Sequence, residues 1–131
     1  MVWRVWFRRL KADGTVVYSG VYSTCLLPSG EKALKIIFPL PQGSATVVLR
    51  PTVDTKGNLL LESRGERFGD PGFVFLVRDR KGQDWRHYLR SFHELIHVFV
   101  DEEGVLRADH SMSLSNRLAY QLHYKMVRKA S

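Results

Sequence analysis

A single cysteine, Cys25, among 131 residues leaves no partner for an intrachain disulfide, so nothing in the chain asks for an oxidising compartment. The plain reading of Cys25 is a buried thiol. No apolar run approaches the roughly eighteen residues of a membrane-crossing helix. The opening stretch MVWRVWFRRL scatters Arg4, Arg8 and Arg9 among apolar residues and lacks both the unbroken apolar core and the small-residue cleavage site of a secretory signal. A cytoplasmic location is therefore expected. The phosphate-cradling patterns GxGxxG and GxxxxGK[ST] are missing, as are a GxSxG elbow, a zinc-finger cysteine set and an RNA-binding glycine-aromatic signature. There is no internal repeat, low-complexity stretch or linker. The expectation is one domain, 1–131, large enough to bury its own core.

What the chain has in excess is positive charge. Twenty Lys and Arg against thirteen Asp and Glu give a formal net charge of +7, which favours acidic partners. The basic residues are dispersed, with Arg4, Arg8, Arg9 and Lys11 at one end, Arg78, Arg80, Lys81, Arg86 and Arg90 in the middle, and Lys125, Arg128 and Lys129 at the other. A solvated positive face explains them, and nucleic-acid binding stands as an alternative without a motif behind it.

Turn signals recur along the first eighty residues, and the runs between them are rich in β-branched and aromatic side chains. Val2 to Leu10, Thr15 to Leu27, Ala33 to Phe38, Ala45 to Val53, Leu59 to Arg64 and Phe73 to Val77 read as strands of an antiparallel meander. Gly20 suggests a bend or bulge. The irregular segment 65–72 suggests a mobile loop or cavity rim, and Phe73 to Val77, apolar on both faces, a fully covered central strand. After Met112 the pattern is helical. Ser113 or Ser115 can cap a helix over about 113–129, with Leu114, Leu118, Leu122 and Met126 along one stripe and Lys125, Arg128 and Lys129 in its last turns. The expected fold is mainly β (α+β): about seven to nine antiparallel strands in a curved sheet or barrel, with the C-terminal helix packed against it. In element order this is similar to calycin barrels and helix-grip domains.

The stretch from Asp84 to Met112 holds the sharpest chemical signal, His93-Glu94-Leu95-Ile96-His97. On a helix, His93 and His97 share a face beside Glu94, the arrangement in which a zinc hydrolase holds its metal and its general base. Trp85, Tyr88, Leu89, Phe92, Leu95, Ile96 and Phe99 would form the apolar arc of that helix. On a strand, the two histidines stand about 13 Å apart, too far to share an ion. Local chemistry favours the strand, because His97 to Val100 and Val105 to Ala108 flank Asp101-Glu102-Glu103-Gly104 as a hairpin does its loop. With Val100 opposite Val105, His97 faces Ala108 and His93 faces Met112, and His110 lies diagonally about 7 to 8 Å from both histidines.

The five-residue match resembles the zincin metalloproteases. That resemblance implies zinc on His93 and His97 with Glu94 activating a metal-bound water. The third ligand would come from Asp109, His110 or His123, with His110 the best placed. No glutamate follows Glu103, and Val100 and Glu103 replace the glycine and final histidine of the longer HExxHxxGxxH pattern.

The expectation carried forward is a non-enzymatic binding module for an apolar small ligand or a partner protein, with no cofactor. The terminal helix would serve as lid or plug, and Trp3, Trp6, Phe7, Tyr18, Tyr22, Phe38, Phe73, Phe75 and Trp85 supply aromatic surface for a cavity. The zinc hydrolase and the nucleic-acid binder are its alternatives.

Overall fold

A computed structural model describes residues 2–128 and 130; the side chains of Trp6, Val17 and Tyr18 lie outside the described residues, as does Lys129. The described chain is all β. Ten strands follow one another: β1 (Arg4–Arg9), β2 (Val16–Leu26), β3 (Lys32–Leu40), β4 (Gly43–Val53), β5 (Leu59–Glu62), β6 (Gly72–Arg78), β7 (Asp84–Tyr88), β8 (Phe92–Val100), β9 (Leu106–Leu114) and β10 (Arg117–Met126).

The hairpins owe their geometry to a repeated four-residue device. In Asp54-Thr55-Lys56-Gly57, Asp79-Arg80-Lys81-Gly82 and Asp101-Glu102-Glu103-Gly104, the glycine N–H donates to the aspartate carbonyl at 3.0–3.1 Å. Each glycine takes a φ of 78° to 84°, open to it because it has no Cβ. The aspartate Oδ1 accepts the N–H groups two and four residues on, at 2.8–2.9 Å.

Strand β4 positions everything else. One of its edges pairs with β3 along Gly43–Leu49, while along the other Gly43–Val48 pairs with β6 and Arg50–Val53 pairs with β5. The sheet forks there. One branch runs β1-β2-β3-β4-β6-β7 and the other β4-β5-β8-β9-β10, all antiparallel, curling into a half-barrel. Ile36, Phe38, Ala45, Val47, Leu49, Leu61, Ile96 and Ala108 form the buried core between the branches. Each fully buried aliphatic side chain there stabilises the fold by roughly 1.5–3 kcal/mol. Gly20 marks a close approach rather than a bend: a Cβ on it would lie 2.7 Å from Cδ1 of Phe38. The irregularity in the β1–β2 ladder falls between Arg8 and Arg9 instead.

Three expectations need correction. Among the described residues there is no helix, so the expected C-terminal helix over 113–129 is replaced by the end of β9, a two-residue turn and β10. Ser115 and Asn116, at φ 51° and 64°, make that turn, and they are hairpin residues rather than helix caps. Strand β6 is not covered along its whole length: Val74 is buried, whereas Leu76 on the same face is 43% exposed. The 65–72 segment is tied down and does not rim the main cleft. Asp70 Oδ2 accepts the N–H of Glu66 and Arg67 at 3.0 and 3.2 Å, and the Tyr88 hydroxyl donates to the Pro71 carbonyl at 2.7 Å.

Candidate functional site

Strand β8 carries the HExxH residues in extended conformation, and alternation sends them to opposite faces. Glu94 and Ile96 point into the core, at 7% and 4% exposure, while His93, Leu95 and His97 point outward. The expected hairpin forms, but one residue out of the expected register. Val105 belongs to the turn, where its carbonyl accepts the Asp101 N–H at 2.9 Å, so Val100 pairs with Leu106, His97 with Asp109 and His93 with Ser113. A slip of one residue moves every side chain of the partner strand to the other face. His110 consequently pairs with Ile96 and faces the core, away from His93 and His97. Among the described residues no three His, Cys, Asp or Glu side chains gather as a metal site. The structure thus does not bring His93, His97 and His110 together, and Glu94 is on the far side of the sheet from the first two.

The outward histidines bind neighbouring loops and strands. His93 Nδ1 lies 3.2 Å from the Ser63 carbonyl, and His97 Nε2 lies 3.0 Å from Asp54 Oδ2. The Asp54 carboxyl is held down at about 2, first by the Asn58 N–H and further by the Asn58 side chain, the Lys56 N–H and His97. On the same face, His123 Nδ1 is 2.5 Å from Asp109 Oδ1. Cys25 is half-buried, and burial pushes its thiol up, away from a reactive thiolate.

A polar chain crosses the inside of the half-barrel. Arg8 Nη1 on β1 donates to the Tyr124 hydroxyl on β10 at 2.7 Å. That hydroxyl lies 3.0 Å from His110 Nδ1 on β9, and His110 Nε2 lies 3.6 Å from Glu94 Oε2 on β8. Because the phenol oxygen accepts from Arg8, its single hydrogen can go to Nδ1, an assignment that leaves the imidazole proton on Nε2 facing the carboxylate. Burial lifts the Tyr124 phenol above its ordinary value, against the opposing pull of the Arg8 guanidinium. The Glu94 N–H is also engaged, donating to Ser63 Oγ at 2.8 Å.

The Arg8–Tyr124 bond spans a place where the two branches meet without a backbone ladder. Strands β1 and β10 are the two ends of the strand order, and among the described residues neither pairs with the other. Along this seam lies an open cleft of about 480 Å³. Val5 and Phe7 line it from β1, Leu61 and Val98 from the floor, and Met126 from β10, with Arg8, Arg9, Tyr124 and Lys125 among its polar groups. A second recess of about 670 Å³ adjoins it and shares Arg8, Arg9, Tyr124 and Lys125.

Of the aromatic residues expected to line a cavity, Phe7 and Tyr22 do so. Phe38 lies in the core with Phe73 and Phe75 packed on it, whereas Trp3 and Trp85 are 44% and 58% exposed. Trp6 and Tyr18 fall outside the described side chains. Sequence reasoning missed Arg8, Tyr124, Val98 and Met126 as cleft residues. The alternation of Leu122, Tyr124 and Met126 carried the signal for the last strand, hidden by its equal fit to a helical stripe.

No helix in the described chain is long and apolar enough to cross a membrane. Compared with protein families, curated proteins and solved structures, the chain matches none of them.

Proposed function

We propose that this domain is a non-enzymatic binding module whose site is the cleft between β1 and β10, and that its ligand is a small apolar molecule. The observation that carries this reading is the seam itself. Two strand ends that do not pair flank a recess of about 480 Å³ lined mainly by apolar side chains. That volume lies within the range of small-molecule sites, and the few polar groups at its wall suit orientation rather than chemistry. The terminal segment contributes a wall as β10, in place of the lid expected of a helix. Glu94 and His110, the residues best equipped for proton transfer, are buried side chains that do not line the cleft.

Titration with the uncharged fluorophore N-phenylnaphthylamine tests the reading. The wild-type protein is expected to give saturable one-to-one binding, and Met126→Trp, which narrows the mouth at a partly exposed position, is expected to weaken it several-fold with an unchanged circular dichroism spectrum. Non-saturable binding, or equal binding by the variant, would contradict the assignment.

A further inference from the structure

We propose that the ligand is a monomeric single-chain amphiphile with an anionic head, its hydrocarbon tail in the apolar cleft and its head in the adjoining recess. This rests on the cleft being a ligand site and adds the chemistry of what fills it. The two recesses form one bipartite site through their four shared residues, and they differ in which residues join the shared ones. The first is lined chiefly by aliphatic and aromatic side chains. The second adds Lys11, Arg107 and His123 to the shared Arg8, Arg9 and Lys125, beside Leu10, Leu122 and Val127, and among the described residues no carboxylate lines either one.

Two of these groups already have acidic partners. Arg107 Nε donates to Asp101 at 2.6 Å, and His123 lies 2.5 Å from Asp109. Arg9, Lys11 and Lys125 form no ion pair among the described residues. Three exposed cations lining one recess repel one another, and a single anionic head relieves that repulsion while making charge-assisted hydrogen bonds. The tail is needed to place the head there, because the cations alone are exposed and well hydrated. A neutral apolar ligand leaves the basic wall unused, and a polyanion without a tail leaves the cleft unfilled.

The test compares dodecanoate, dodecanol and acetate by isothermal titration at low ionic strength, below the micelle concentration, on the whole chain and on the Arg9→Gln/Lys125→Gln variant. Both substitutions are at exposed positions, and circular dichroism checks the fold. Dodecanoate is expected to bind about tenfold more tightly than dodecanol, the size of one charge-assisted contact. Acetate is expected to show no saturable binding, and the dodecanoate-to-dodecanol ratio is expected to fall towards one in the variant.

Equal affinity for dodecanoate and dodecanol would overturn the anionic head and leave the apolar site standing. Binding of neither would remove both readings. Acetate competing as well as dodecanoate would reduce the recess to an unspecific anion trap and overturn the proposal. Tight binding of a single-stranded oligonucleotide without capture of dodecanoate would overturn it in favour of nucleic acid. Sedimentation with anionic phospholipid vesicles without capture of free dodecanoate would overturn it in favour of a membrane surface.

Discussion

Replacing Tyr124 with phenylalanine deletes one oxygen from the polar chain and leaves the ring that lines the cleft. The hydroxyl accepts from a guanidinium at 2.7 Å and meets an imidazole nitrogen at 3.0 Å. A hydrogen bond to a charged group contributes about 1.5–3 kcal/mol and a neutral one about 0.5–1.5 kcal/mol. The expected loss is therefore roughly 2–4 kcal/mol, a fall in Tm on the order of 10 °C for a domain of this size. Urea unfolding followed by tryptophan fluorescence measures it, with an unchanged m-value showing that the unfolded reference has not shifted. The Arg8 guanidinium still lies 5.9 Å from the aromatic ring centroid, so the change reports the hydroxyl alone. A double-mutant cycle with Arg8→Met should return a coupling of about 1–2 kcal/mol. A loss below about 0.5 kcal/mol, or strictly additive single mutants, would refute the idea that this bond holds the two branches together.

Two further substitutions probe the turn chemistry. Ser115→Gly should raise stability by about 0.5–1 kcal/mol, because a φ of 51° strains a residue with a Cβ. In a helix the same change would lower stability by a similar amount, so the sign of the change in urea midpoint separates hairpin from helix. The Asp54 carboxyl, held at about 2 against an ordinary 3.8, stabilises the folded chain above the ordinary value. That stability should be lost as pH falls from about 4 through 2. Asp54→Asn should flatten the fall of Tm across this window, and an unchanged profile would count against the Asp54 turn as an anchor.

Spacings of four residues explain most of what sequence could and could not decide. His93 with His97, and Leu114, Leu118, Leu122 and Met126, satisfy a helical stripe and an even-numbered strand alternation equally well. Turn residues broke the tie where they were recognised. Gly104 in Asp101-Glu102-Glu103-Gly104 points to the hairpin that the structure has, whereas Ser115 suits a helix cap as well as the turn it makes with Asn116, because serine serves both purposes. The remaining register error has a local cause, since Val105 looks like a strand residue and is spent in the turn. The first six strands were legible to within a few residues because glycine and proline separate runs of β-branched side chains. The fork at β4 and the open seam were not legible. They follow from β4 choosing β6 along one half and β5 along the other, a long-range choice with no local mark. Arg8 and Tyr124, 116 residues apart, become neighbours only through it.

The central claim is that the sheet stays open between β1 and β10. Residue-by-residue amide hydrogen exchange tests it most directly, because an edge strand bonds to one neighbour and leaves every second N–H unpaired. Alternating slow and fast amides along Arg4–Arg9 and Arg117–Met126, beside uniformly slow amides in the doubly paired Gly43–Val48 of β4 and Leu95–Val98 of β8, are the predicted result. Uniform protection along both end strands would mean that a backbone ladder closes the seam, and would contradict the account.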